Sequence, residues 1–355
     1  MNGAVPNSRP VASGTTPVVI GVLLATLFVS ATVAVMIGPV SIRPDVVWRV
    51  ALDHLNPGWL SQTWQAFEAS IIWEVRLPRV LLAAVAGAGL AVVGATLQAL
   101  LRNPLADPYL LGTSAGAALG AVGVLLFGAS VVGGLSISVA AFLGALTAIV
   151  AVYVLAWQDG RFPTGRLVLS GVAVSYLFSS VTNLLIFRVP SGEQARTALF
   201  WMLGGLGSAR WDALMLPTVV VAAGTCTLVT FARALNALSL GEEVATTLGV
   251  DGDRFRRIGF LIASLSTGVL VAVTGGIGFV GLMVPHFVRL IVGADHRRLL
   301  PAAALTGAIF LIWADVLART IVAPEELPLG IVTAFAGAPF FLWLMRSRGR
   351  SGWAS

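Results

Sequence analysis

The sequence predicts an all-α membrane protein, a polytopic bundle of about ten transmembrane helices with both termini on the cytoplasmic side. Three observations carry that prediction. The 355-residue chain is 57% hydrophobic and only 11% charged, against roughly a quarter charged in soluble domains. About ten apolar runs are long enough to cross, or nearly cross, a bilayer's hydrocarbon core as helices. The charges between those runs are placed asymmetrically, as membrane topology requires.

The runs lie near 17–39, 77–101, 109–128, 132–156, 166–187, 213–233, 257–275, 279–292, 301–321 and 329–345. The first is long enough to span and has no small-residue cleavage site after it, so it reads as a membrane helix and not a cleaved signal. The second is bracketed by Arg76 and Arg79 before it and Arg102 after it, with no charge from Val80 to Leu101. A polar turn with Asn103, Pro104, Asp107 and Pro108 joins it to the third. Within the second run Ala83, Gly87, Ala91, Ala95 and Ala99 recur every fourth residue, which makes one face small throughout. Gly112, Gly116 and Gly120 repeat the pattern in the third. Lipid gives helices no hydrophobic reason to associate, so small faces of this kind predict close helix packing. The eighth run is short and contains Pro285, which predicts a partial or tilted helix.

The sequence reads as one transmembrane domain, 1–355, with a disordered tail at 1–16 and a cytoplasmic loop at 234–256. There is no lysine, and all 22 basic residues are arginine. With the N-terminus inside, Arg102, Arg161, Arg166, Arg233, Arg254, Arg256, Arg257, Arg297 and Arg298 fall on the cytoplasmic side. The external arginines sit mostly in the longer loops, where the positive-inside rule counts for less. The net charge of +6 therefore reflects helix ends and gives no support for nucleic-acid binding. The single cysteine, Cys226, can form no internal disulfide.

Several patterns that resemble catalytic motifs do not survive their context. A P-loop needs a lysine to reach the phosphates, so this chain is no P-loop ATPase. Gly276, Gly278 and Gly281 match the dinucleotide fingerprint but lack its strand–turn–helix setting. Gly112, Ser114 and Gly116 match a nucleophile elbow, and with His286 they define an intramembrane serine hydrolase as a weak alternative. His54, His286 and His296 are scattered and predict no metal site. Asp315 is the one acid inside an apolar run. Intramembrane acids are functional candidates, and here Arg319 at i+4 offers a local partner. An ion-coupled secondary transporter is the other alternative, with Asp315 as thin support.

The chain resembles the FecCD-type permeases. The resemblance runs from RLPR at 76–79 through QALLRNPLADPYLLGTSAGA at 98–117, WMLGGLGSARW at 201–211 and LGEEVATTLGV at 240–250. It continues through GGIGFVGLMVPHFVRL at 275–290, DHRRLLP at 295–301, ADVLAR at 314–319 and ELPLGIVTAFAGAPFFLWLM at 326–345. These permeases are multi-pass subunits, in the cytoplasmic membrane, of ATP-binding-cassette (ABC) importers for ferric siderophores, haem and cobalamin. The resemblance implies a transport subunit and not an enzyme, without a cofactor of its own. It implies pairing with itself or a paralogous copy, two cytoplasmic ATPase subunits and one extracytoplasmic binding protein. Family frequency puts the ferric siderophore first as cargo, with haem and cobalamin next.

Site residues follow. Leu240, Gly241, Glu242, Glu243 and Gly249 are expected to couple the chain to the ATPase. Glu242 and Glu243 sit where a short helix would begin, and Gly249 where it would stop. The resemblance assigns binding-protein docking to Arg76, Arg79 and Arg319, with local pairing to Glu74 and Asp315 as the structural alternative. The translocation path is expected along the fifth run, at Ser175, Ser179, Ser180, Thr182 and Asn183. A re-entrant segment at 198–208 adds Trp201, Gly204 and Gly205.

Overall fold

The computed structural model describes residues 15–58, 61–128 and 133–348, so the expected tail at 1–16 falls almost wholly outside the described residues. Fifteen α-helices make up the described chain, and no strand occurs among the described residues. In order they are α1 (Thr15–Met36), α2 (Pro44–Leu55), α3 (Ala66–Ser70), α4 (Leu77–Leu100) and α5 (Thr113–Phe127). Then come α6 (Ile137–Ala156), α7 (Thr164–Arg188), α8 (Gly192–Met202), α9 (Trp211–Thr230) and α10 (Ala232–Leu240). The chain continues with α11 (Glu242–Thr247), α12 (Gly252–Thr274), α13 (Val280–Val292), α14 (His296–Ala318) and α15 (Leu329–Arg348). Seven helical stretches are long and apolar enough to span a membrane, and three shorter apolar helices, Thr113–Phe127, Val280–Val292 and Leu329–Trp343, complete the ten expected runs.

α4 is the centre of the bundle, packed by α9, α12, α13 and α14. A helix apolar on every side belongs inside, and α4 is buried on nearly every side. Its small face does what the spacing predicts. Ala83, Ala91 and Ala95 are fully buried, and Gly87 lies so close to α14 that a Cβ there would sit 2.1 Å from the Gly307 carbonyl oxygen. The α5–α6 contact uses the same device: a Cβ on Gly116 would come within 2.3 Å of the Gly144 oxygen, and one on Gly120 within 2.0 Å of the Ala140 oxygen. Gly112 does something else. It holds a left-handed backbone (φ 76°) immediately before α5, a conformation that glycine adopts without steric cost.

That conformation shortens the third expected run. Asp107 accepts a hydrogen bond from the Tyr109 N–H, Pro108–Leu111 form a tight 3-10 turn, and the α-helix starts only at Thr113. Gly171, inside α7, packs against the Leu110 carbonyl, so α5 begins within the bundle. α13 does the same, because Gly281 lies against Gly94 inside the span of α4. At 1.5 Å per residue α5 is about 22 Å long and α13 about 20 Å, short of the ~30 Å hydrocarbon core.

Two loops hold more structure than the sequence indicated. In 40–76, Pro44 and Asp45 start amphipathic α2, which buries Val46, Val47, Val50 and Ala51 and exposes Trp48, Leu52 and Leu55. A Gln65–Glu68 capping box starts α3, which runs through a π-helical turn, Ile71–Arg76, into α4. The expected re-entrant segment at 198–208 is the end of α8, capped by Ser191 at its start, followed by irregular chain.

Candidate functional site

Three regions collect the candidate residues. The first is a polar cavity inside the bundle. The chain between α12 and α13, Gly275 to Phe279, is not helical. Irregular backbone at membrane depth persists only where protein satisfies it, and here it is knitted into its neighbours. The Gly205 N–H donates to Thr274 O (2.8 Å), Leu329 N–H to Gly204 O (2.8 Å), and Gly330 N–H to Leu203 O (3.0 Å). The Tyr109 hydroxyl donates to Ile277 O (2.8 Å) and accepts from Ile277 N–H (2.6 Å). Gly204 takes a left-handed φ of 75° at this junction. Gly276 and Gly278 therefore belong to a break between helices, and Gly281 to the first turn of α13, and not to a dinucleotide site.

Beside this junction lies a cavity of about 230 Å³, walled by Ser175, Ser179 and Thr182 of α7, Trp201 and Met202 of α8, and Tyr109, Ser114 and Gly276. Four of the path residues chosen from sequence meet there: Ser175, Ser179, Thr182 and Trp201. Ser180 and Asn183 are exposed on α7 and do not line it. Gly204 and Gly205 lie in the hydrogen-bonded junction beneath. Tyr109, Ser114 and Gly276 were missed. Their only sequence signal was the break in helical character at Pro108–Gly112 and at Gly275–Gly278, which marks where half-helices end.

The second region is an ionic cluster at the external ends of α1, α4 and α14. Arg79 bridges two carboxylates: its Nη2 lies 2.9 Å from Asp315 Oδ1 and its Nη1 2.8 Å from Glu326 Oε1. Arg319 makes a looser contact with Asp315 (3.4 Å) and donates to the carbonyls of Ala34 and Ile37. Arg76 donates to Val35 O (2.8 Å), Met36 O (3.1 Å) and Val40 O (2.7 Å). The last carbonyls of a helix have no partner within it, and cations there also complement its dipole. Arg76 and Arg319 thus cap α1.

Two of the three arginines assigned to docking, Arg76 and Arg319, are thus engaged within the bundle. Arg76 is 6% exposed, the Arg319 side chain is 9% exposed, and neither pairs with Glu74 among the described contacts. Asp315 has Arg319 as its weaker partner and Arg79, from another helix, as its stronger one. Only Glu326, half-exposed, brings the cluster to the surface. Hydrogen bonds from Arg79 hold its carboxyl below the usual glutamate value, and they outweigh the opposing effect of partial burial.

The third region is the connector between α9 and α12 on the arginine-rich side. Gly241 (φ 124°) separates α10 from α11. Glu242 and Glu243 occupy the first turn of α11, and Gly249 follows its end with φ 75°. Leu240 is 71% exposed. Arg256 of α12 fastens the connector, with its Nη2 2.6 Å from Glu242 Oε1 and 3.0 Å from Asp253 Oδ1.

Ser114 and His286 line different cavities, so the hydrolase arrangement is not assembled. Asp315 is neutralised by two arginines, which removes the one acid offered for ion coupling. Among the described residues no cluster of three metal-ligating side chains occurs.

Comparison with known proteins agrees with this architecture. The family model of the FecCD transport family matches residues 17–347. The cobalamin import system permease protein BtuC of Halobacterium salinarum is 49% identical over 278 residues, 78% of this chain and 74% of that protein. The hemin transport system permease protein HmuU of Yersinia pestis is 42% identical over 309 residues, 83% of this chain and 91% of that protein. A protein described as a metal-chelate type ABC transporter, solved in an inward-facing conformation, superposes with a TM-score of 0.80 at 30% identity. That match covers 93% of this chain and 99% of that one. The ten apolar helices, the interrupted helices around a polar cavity and these matches lead to one conclusion: the chain belongs to the FecCD transport family, as a multi-pass transport subunit of the cytoplasmic membrane whose ATPase is a separate subunit.

Proposed function

We propose that this chain is the permease of an ABC importer for a bulky metal chelate, working as one of two facing copies. The observation that carries this reading is the hydroxyl-lined cavity between α5, α7 and α8. Ser175, Ser179, Thr182, Tyr109 and Ser114 offer weak hydrogen bonds and no charge, a surface on which an amphiphilic chelate slides without being trapped. At about 230 Å³ the cavity is smaller than the roughly 300–1,000 Å³ of pockets that enclose a drug-sized ligand. One chain therefore provides part of a wall, and a second copy across it completes the path.

The relatives named for cobalamin and hemin favour a tetrapyrrole-type chelate over the ferric siderophore that family frequency put first. α11, with Leu240 and Gly241 before it and Gly249 after it, is the contact for the ATPase: it is short, exposed and pinned to a spanning helix by Arg256. On the external face the Arg79–Glu326 pair is the part of the arginine cluster that an extracytoplasmic binding protein reaches, with Arg76 and Arg319 supporting it from below.

The test is uptake in cells deleted for this chain, offered labelled cobalamin, haem or a ferric siderophore. Loss of one cargo, restored by the native chain and not by a chain with Ser179→Trp, is the expected result. Normal uptake of all three in the deleted cells would remove the proposal.

A further inference from the structure

The turn between α6 and α7, on the arginine-rich side, is short, stiff and held by α12. Asp159 and Gly160 both take left-handed backbones (φ 49° and 77°). The residues on either side, Gln158 and Arg161, exchange backbone hydrogen bonds of 3.1 and 2.8 Å. Positive φ at both central residues is the type I′ hairpin geometry, which Asp-Gly favours. Phe162 follows, fully buried, with its ring 5.5 Å from Tyr153 of α6 and 5.5 Å from Phe260 of α12. α7 starts two residues later, at Thr164, and its Leu167 shares one apolar cluster with Phe162 and Phe260.

Asp253, in the first turn of α12, meets this turn and the connector at once. Its Oδ1 accepts from the Phe162 N–H (3.1 Å) and from Arg256 Nη2 (3.0 Å). The same Arg256 nitrogen donates to Glu242 Oε1 (2.6 Å), at the start of α11. Beside it, the Arg257 guanidinium stands 5.0 Å from the centre of the Trp157 ring, a cation–π contact with the other end of the turn. A continuous line therefore runs from Glu242 through Arg256 and Asp253 to the Phe162 N–H, from exposed α11 to the threshold of α7. Its ionic links are the stronger kind of hydrogen bond, and the Arg256 side chain at its centre is buried. Coupling between distant sites is carried by hydrogen-bonded networks joined to rigid elements, and the stiff turn supplies the rigid element here.

We propose that Asp253 is a positioning residue for transport, passing movement of α11 to α7 by holding the α6–α7 turn against α12. The wall at Ser175, Ser179 and Thr182 then follows the connector. This rests on the reading of α11 as the ATPase contact and of α7 as a wall of the path, and it adds the residue that joins the two.

The test uses the complex of this chain with its ATPase in nanodiscs, the chain carrying Cys226→Ser and Ser179→Cys. A water-soluble maleimide is the probe, and its labelling rate is read without nucleotide and with ATP plus vanadate. Asp253→Ala removes both hydrogen bonds, whereas Asp253→Asn keeps an acceptor for the Phe162 N–H and loses the charge. Arg254→Ala, at an exposed position in the same helical turn, is the control, and co-elution with the ATPase checks assembly of each sample. The labelling rate is expected to respond to nucleotide in the parent chain and in Arg254→Ala. The response should be lost in Asp253→Ala and partly recovered in Asp253→Asn, a graded result that a purely structural role would not give. If Asp253→Ala fails to assemble, a weaker response in Asp253→Asn than in Arg254→Ala supports the relay. A full response in every assembled Asp253 variant would overturn the relay and leave α11 and α7 in their proposed roles. No response in the parent chain would overturn the path reading, and the relay with it.

Discussion

Arg79 and Asp315 meet across α4 and α14, 236 residues apart in sequence, with Nη2 2.9 Å from Oδ1 and two further hydrogen bonds from Nε at 3.0 and 3.1 Å. Asp315 is buried and the Arg79 side chain nearly so, and each has a second, weaker-placed partner in Arg319 and Glu326. Removing one partner of a buried pair costs about 3–5 kcal/mol where the remaining charge is left unpaired, and the second partners here place the cost at the lower end of that range. Arg79→Ala and Asp315→Ala should each lower stability on that scale, and the double variant by much less than their sum. A double-mutant cycle on purified protein in detergent measures the difference, and simple additivity would show that the pair is not coupled.

Glu326 gives this cluster a pH dependence of known sign. Its carboxyl is held below the usual glutamate value of 4.5. The stabilisation from its pairing with Arg79 is therefore complete above that value and is lost as pH falls through the lower, folded-state value. Thermal unfolding at decreasing pH should show the native chain losing a stabilisation that Glu326→Gln never has, so that the two curves converge in acid. Curves that stay parallel throughout would contradict this.

Gly87→Leu should be far more harmful than its exchange of one apolar residue for another implies. The Gly307 carbonyl lies where the new Cβ would go, so α4 and α14 must separate, beyond the usual overpacking cost of about 1–3 kcal/mol. Loss of monodisperse protein on size-exclusion chromatography is the expected readout. Gly21→Leu, at a position with nothing within 4 Å, is the control.

At the connector, Glu242→Ala/Glu243→Ala should leave the fold intact, because the buried Arg256 keeps Asp253 as a second partner when Glu242 is lost. Transport-linked ATP hydrolysis in the reconstituted complex should nevertheless fall. Gly249→Val adds about 1–2 kcal/mol of left-handed backbone strain and should act in the same direction. Unchanged hydrolysis and uptake in both variants would reduce α11 to an interfacial anchor.

Access to the path can be mapped chemically once the exposed Cys226 is replaced by serine. Ser179→Cys should react with a water-soluble thiol reagent and be protected by cargo. Ser264→Cys, at a fully buried position in α12, should not react. Equal protection of both in every nucleotide state would take Ser179 out of the path.

The sequence was most legible where one physical requirement dominated. Crossing a bilayer demands a long apolar run, and each of the ten expected runs is a helix. Close packing without hydrophobic drive demands small residues, and the four-residue spacing from Ala83 to Ala99 located the face that meets α14. Glu242, Glu243 and Gly249 marked the start and stop of α11 because helix ends have local rules. Legibility failed where the partner is distant in sequence. The external position of Arg76 and Arg319 was readable, but not that the end of α1 would take up their donors. Ser180 and Asn183 resembled Ser179 in an apolar run, and only the rotation of α7 against α5 and α8 separates them.

By itself, then, the sequence determined that this chain is a membrane bundle, where its apolar helices lie, which faces are small and where the connector turns. These follow from composition and short-range periodicity, properties of neighbouring residues. The tertiary structure decided that α5 and α13 begin inside the bundle, that Tyr109 and Ile277 tie their leading segments together beside the hydroxyl-lined cavity, and that Arg79 joins Asp315 to Glu326. Each of those depends on groups remote in sequence satisfying one another's hydrogen bonds and charges in a medium without water, and no local pattern encodes which remote group will arrive.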